Sequence, residues 1–173
     1  MTLRQPDWPR KMPPALVMAL ARLGRLGDLP APGTWGSMAG MLFFFLGFTQ
    51  LGIVSYFVIA AAAAYFAVGV CGQAEIELER KDPGEVIFDE FVSMPVCFIG
   101  WQMIVGPSPR VLSVLGLLAA GFVLFRLFDI WKPGPIRRLQ DLPGGWGVVL
   151  DDTAAALVTC GLLHAGHLLR VLV

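Results

Sequence analysis

The stretch LFRLFDIWKPGPIRRLQDLPGGWGVVLDD, from Leu124 to Asp152, decides how the whole chain reads. It joins the end of one apolar segment to the start of the next. Four cations (Arg126, Lys132, Arg137 and Arg138) and four acids (Asp129, Asp141, Asp151 and Asp152) are concentrated in it. The chain around it is mostly hydrocarbon. So much charge beside a Gly-Gly-Trp-Gly turn points to a site for a phosphate and a divalent metal at a membrane edge.

Composition sets the frame for that reading. Of 173 residues, 56% are hydrophobic and 15% charged, and the mean hydropathy is +0.69. A soluble domain of this length has no interior large enough for that much apolar surface. The expected fold is therefore all-α, an integral membrane helical bundle forming one domain over residues 1–173. A formal net charge of zero argues against nucleic acid as a partner. Cys71, Cys97 and Cys160 lie in apolar runs without metal-ligand spacing and read as small buried hydrophobes.

Working outward, residues 13–27 read as a basic amphipathic helix on the membrane surface, with Leu16, Leu20, Leu23 and Leu26 near one face. Arg22 and Arg25 break the apolar run and no small-x-small site follows, which argues against a cleaved signal. Pro30–Ser37 reads as a turn in which Thr34 or Ser37 caps the next helix. Met38–Val70 is too long for one span of about 20 residues and suits two, divided near Gly47–Gly52. A third segment runs from about Val86 to Val105 with a kink at Pro95. The fourth covers Val111–Trp131 and the fifth starts near Val148. About five hydrophobic helices plus the N-terminal amphipathic helix are expected. With the N-terminus inside, ten Lys and Arg fall on the cytoplasmic side against Arg110 and Arg170 on the other, the positive-inside pattern.

That topology gathers Thr34, Asp89, Glu90, Asp129, Lys132, Asp151 and Asp152 on one side. Asp89, Asp129 and Asp151 each fall within roughly 3–5 Å of a span end, whereas the midplane lies about 15 Å in. Arg126, Asp129 and Lys132 recur every third residue and share a helix face. Asp89–Glu90 and Asp151–Asp152 are neighbours about 100° apart around a helix. One of each pair can face a common centre while the other turns aside or bridges to a second metal. Oxygen donors without His or Cys favour Mg²⁺. Plainer readings exist: Arg126–Asp129 as a buried ion pair, Asp151 as a partner of the helix dipole, Gly144, Gly145 and Gly147 as a simple turn. Taken together they do not explain why every feature falls on one side. His164 and His167 sit toward the far end of the fifth segment and read as interfacial.

Four pieces in this order, PGTWGS (Pro32–Ser37), DPGEVIFDE (Asp82–Glu90), FRLFDIWKPGPI (Phe125–Ile136) and GGWGVVLDD (Gly144–Asp152), resemble the phosphatidylglycerophosphatase A family of bacterial membrane lipid phosphatases. The resemblance implies Mg²⁺-dependent hydrolysis of phosphatidylglycerophosphate to phosphatidylglycerol and phosphate, a step of phospholipid biosynthesis at the bacterial inner membrane with the site facing the cytoplasm. It implies Asp89, Glu90, Asp151 and Asp152 as metal ligands, with Asp129 either joining them or orienting Lys132. Lys132 and Arg126 would neutralise the phosphate, Arg137 would steer the headgroup, and Thr34 would contribute from the first turn. The implied partners are the lipid substrate and surrounding membrane lipids; nothing in the sequence sets an oligomeric state. Ser93 departs from the family pattern, which usually has Gly there. Two rival classes fit less well. A CDP-alcohol phosphotransferase carries an Asp-Gly-rich signature, and no Asp-Gly pair occurs. An ion-coupled transporter subunit would place charge near the midplane.

Overall fold

The computed structural model describes residues 3–172, and every regular element among them is helical. In chain order these are α1 (Pro14–Ala21), α2 (Pro32–Gly47), α3 (Ile53–Leu78), α4 (Phe88–Ser93), α5 (Trp101–Val105), α6 (Val111–Trp131), α7 (Pro135–Leu139) and α8 (Gly145–Leu172). Three of them, α3, α6 and α8, are long and apolar enough to cross a membrane. Their outward faces carry Ile53, Val54, Leu112, Val123, Ile130 and Leu169, all exposed. A surface of that extent matches lipid tails rather than water.

Of the about five spanning helices expected, three among the described residues have the length and composition to cross a membrane. At 16 residues α2 is about 24 Å long, short of a hydrocarbon core of about 30 Å. The third expected segment is not one helix. It breaks into α4, a 3-10 turn at Met94–Phe98 and α5. Pro95 has no N–H for a helical ladder, and Gly100 then turns the chain at φ +70°. The division of Met38–Val70 falls as expected, between Gly47 and Ile53.

Two further expectations change. Pro32–Ser37 is the first turn and a half of α2 rather than a turn before it. Pro32 stands at the start of the helix, where its missing N–H has no helical partner to lose. Ser37 does not cap; its hydroxyl donates to the Gly33 carbonyl within the helix at 2.8 Å. The N-terminal helix covers only Pro14–Ala21, because Leu23 and Gly24 adopt positive φ and end it. Its buried positions are Val17 and Ala21, packed with Ala67, Val70 and Ala74 of α3, while Leu16 is exposed.

Helix α8 is the organising element and packs on both α3 and α6. The crossing with α3 is so close that a Cβ at Gly145 would lie 2.7 Å from the Gly72 nitrogen and nearer still to the Val68 carbonyl. Gln5 keys this crossing from the N-terminal arm. Its Oε1 accepts the Gly145 N–H at 3.0 Å, and its Nε2 donates to the Val68 and Gly69 carbonyls at 3.2 Å. Ser93, buried where α4 meets α8, sets its hydroxyl 3.5 Å from that of Thr153. At the other end of α8, the half-buried His164 places Nε2 2.8 Å from the Ile99 carbonyl exposed by the break before α5. This histidine therefore closes a chain break at that end of the bundle.

Candidate functional site

Five pieces of backbone meet at one end of the bundle: the start of α2, the Asp82–Gly84 turn, the first turn of α4, the last turn of α6 and the second turn of α8. They enclose a cavity of about 300 Å³ lined by Gly33, Asp82, Asp89, Glu90, Arg126, Asp129, Lys132 and Asp152 among others. The Ile87 N–H donates to the Ala21 carbonyl at 2.9 Å and seats the start of α4. Among the described residues five other than glycine have positive φ, and three of them, Ala31, Asp82 and Lys132, line this cavity. Left-handed backbone is costly for side-chain-bearing residues, and such strain gathers where function holds it in place.

Asp89, Glu90 and Asp152 each bring a carboxylate oxygen to within 4.8 Å of the others. Asp89 Oδ1, Glu90 Oε2 and Asp152 Oδ2 are buried without a hydrogen-bond partner. Buried acceptors are almost always satisfied, so three unpartnered oxygens within one carboxylate cluster are available to hold a cation. Burial holds the Asp89 carboxyl well above the usual carboxylate range, with Glu90, Cys71 and Asp152 adding negative field. Burial likewise pushes Glu90 up to about 7. An all-oxygen donor set without His or Cys fits a hard divalent ion.

Beside the trio lies a ladder of charge. Arg126 Nη1 donates to Asp129 Oδ2 at 2.5 Å and lies 3.6 Å from Glu90 Oε1. Lys132 Nζ lies 3.8 Å from Asp129 Oδ1, 2.5 Å from Asp151 Oδ2 and 4.0 Å from Asp82 Oδ2. Burial alone would lower the Lys132 ammonium, but Asp152 and Asp151 hold it well above the ordinary lysine range. Asp129 thus sits between two cations and orients both.

Most of the residues expected in the site meet there. Of the four expected metal ligands, Asp89, Glu90 and Asp152 converge. Asp151 turns away: its Oδ2 takes Lys132 and its Oδ1 accepts the Asp152 N–H at 3.0 Å. Thr34 lies one residue beyond the lining, and it is Gly33 that reaches the cavity. A Cβ at Gly33 would lie 2.8 Å from Arg126 Nη1 and closer to Glu90 Oε1. Arg137 does not line this cavity but a neighbouring one. Asp82 and Gly33 were not singled out from the sequence. The signal for Asp82 was its place before Pro83-Gly84, a turn dipeptide beside the Asp89–Glu90 pair.

The phosphatidylglycerophosphatase A family model matches residues 19–167. The chain is 32% identical to phosphatidylglycerophosphatase A of Escherichia coli over 143 residues, covering 79% of this chain and 74% of that protein. It is also 32% identical to phosphatidylglycerophosphatase A of Haemophilus influenzae over 134 residues, 74% of each chain. No solved structure matches.

Proposed function

The chain belongs to the phosphatidylglycerophosphatase A family of phosphatases, and from that premise we propose that it hydrolyses the terminal phosphate of phosphatidylglycerophosphate with Mg²⁺. The observation that carries the metal dependence is the trio of orphaned, buried carboxylate oxygens on Asp89, Glu90 and Asp152. Those three residues would hold the ion. Bound there, Mg²⁺ would act as a Lewis acid toward the phosphoryl group.

The remaining roles belong to the chain's own side chains. Arg126 commits only Nη1 to Asp129 and Glu90, so the rest of its fork is free for a phosphate oxygen. Lys132 supplies the second positive charge, anchored by the fully buried Asp151. Asp129 positions both cations. In the reaction a water oxygen bonds to phosphorus as the phosphorus–glycerol oxygen bond breaks. The water proton passes to a cavity carboxylate, and the glycerol oxygen leaves with a proton from solvent. The site lies at one end of apolar helices, which suits a headgroup reached from a bilayer surface; by the positive-inside pattern that surface is the cytoplasmic face of the bacterial inner membrane.

The test is phosphate release from phosphatidylglycerophosphate by the protein purified in detergent micelles. Release is expected with Mg²⁺ and not after chelation. No release in either condition from folded protein rejects the assignment, and release that survives chelation rejects the metal.

A further inference from the structure

A second cavity, of about 580 Å³, lies beside the catalytic one. Its lining includes Lys81, Arg137 and Arg138, with Asp82 and Asp141 as its acids. None of these three cations has a carboxylate within 4.0 Å among the described residues. The two cavities have opposite character. In the catalytic cavity five carboxylates face two cations, a balance that needs a metal before it can accept a phosphate. In the second, three cations face two carboxylates, so an anion is accepted without one.

One side chain is common to both. Asp82 lines each cavity, its Oδ2 accepting from Gln140 Nε2 at 3.2 Å on one side and lying 4.0 Å from Lys132 Nζ on the other. Its backbone is held at φ +48°, and its N–H donates to Glu75 Oε1 at 2.8 Å. Asp82 is therefore the residue that borders both cavities.

We propose that the Lys81–Arg137–Arg138 cavity is a second anion subsite that holds the phosphodiester of the lipid while its terminal phosphate occupies the catalytic cavity. The inference rests on the function proposed above. The substrate carries two phosphates joined by a glycerol, and the glycerol hydroxyl lies between them, where Asp82 can accept its hydrogen bond. Arginine forks match phosphate oxygens in pairs. Lipids with a single phosphomonoester and no second phosphate fill only one cavity. The subsite is thus a specificity device: it selects lipids by the presence of a second phosphate.

The experiment compares phosphatidylglycerophosphate with phosphatidate, at matched detergent and surface charge, for the wild type and for R137A/R138A. The loss of two charge-assisted contacts should lower the ratio of kcat/KM for the two lipids roughly tenfold or more, through KM for phosphatidylglycerophosphate. Both guanidinium groups are on exposed residues, so the helical circular dichroism and melting of the variant should match the wild type. R137K/R138K, which keeps the charge, should recover part of the ratio. An unchanged ratio overturns the subsite, whether both lipids lose activity together or neither does. A wild type that turns over neither lipid rejects the proposed function instead.

Discussion

Replacing Lys132 by Met tests the charge ladder most directly. The ammonium lies 2.5 Å from Asp151 Oδ2, with the Asp151 side chain 1% exposed and that of Lys132 18%. Met keeps the stem and the left-handed backbone while deleting the charge. Removing one partner of a buried ion pair costs roughly 3–5 kcal/mol, because the remaining charge is left uncompensated. The low end, about 3 kcal/mol, is expected here because the Asp152 N–H still reaches Asp151 Oδ1. Asp151→Asn alone should cost less, since Lys132 retains Asp129 and Asp82 within 4.0 Å. The double variant Lys132→Met/Asp151→Asn should recover much of the loss, for a coupling energy of about 2 kcal/mol. Denaturation of all four proteins in one mild detergent, followed by circular dichroism, measures the cycle. A coupling below about 0.5 kcal/mol, the ordinary scatter of additivity, would refute the argument. The double variant should also stay inactive in phosphate release, because restored packing does not restore the cation proposed to meet the phosphate.

Three further outcomes follow from the same geometry. Asp89→Asn and Asp152→Asn should each lower turnover by on the order of 10³-fold, while the metal-free melting temperature holds or rises as one of three crowded buried carboxyl groups is replaced; near-normal turnover would take that residue out of the ion-binding set. Gly33→Ala should push the ends of Glu90 and Arg126 aside and lower kcat/KM by roughly 10²-fold, the scale of a misplaced reacting group, and wild-type kinetics in a folded variant would show that the close approach is incidental. Burial raises Glu90 from 4.5 to about 7, so the folded protein holds a proton there that the unfolded chain has released. That contribution is complete below about pH 4.5 and is lost as pH rises through about 7. The metal-free melting temperature should therefore fall between about pH 5 and 8, and saturating Mg²⁺ should flatten the slope; a metal-free profile that is level or rising would contradict it.

Much of this protein was legible in the chain itself. An apolar run reports its own length and ends, so α6 at Val111–Trp131 and the break between Gly47 and Ile53 could be placed from composition alone. Alternating direction then put Asp89, Glu90, Asp129, Lys132 and Asp152 at one end of the bundle. What the chain could not show was backbone conformation at Pro32. A proline reads the same at the first turn of a helix as in a loop, and only the packing of α2 on α4 distinguishes the two.

Adjacent residues on a helix point about 100° apart, and so Asp151 and Asp152 were equal candidates for the metal until the rotation of α8 about its axis was known. Tertiary packing sets that rotation. Gly145 abuts the Val68 carbonyl, Gln5 holds the Gly145 N–H, and Val149, Ala155 and Ala156 are buried. With those faces turned inward, Asp152 meets Asp89 and Glu90, and Asp151 meets Lys132. Residue types and segment order, written in the chain, determined which groups gather. Helix rotation, a property of side chains packed from distant parts of the sequence, decided which of them face the ion.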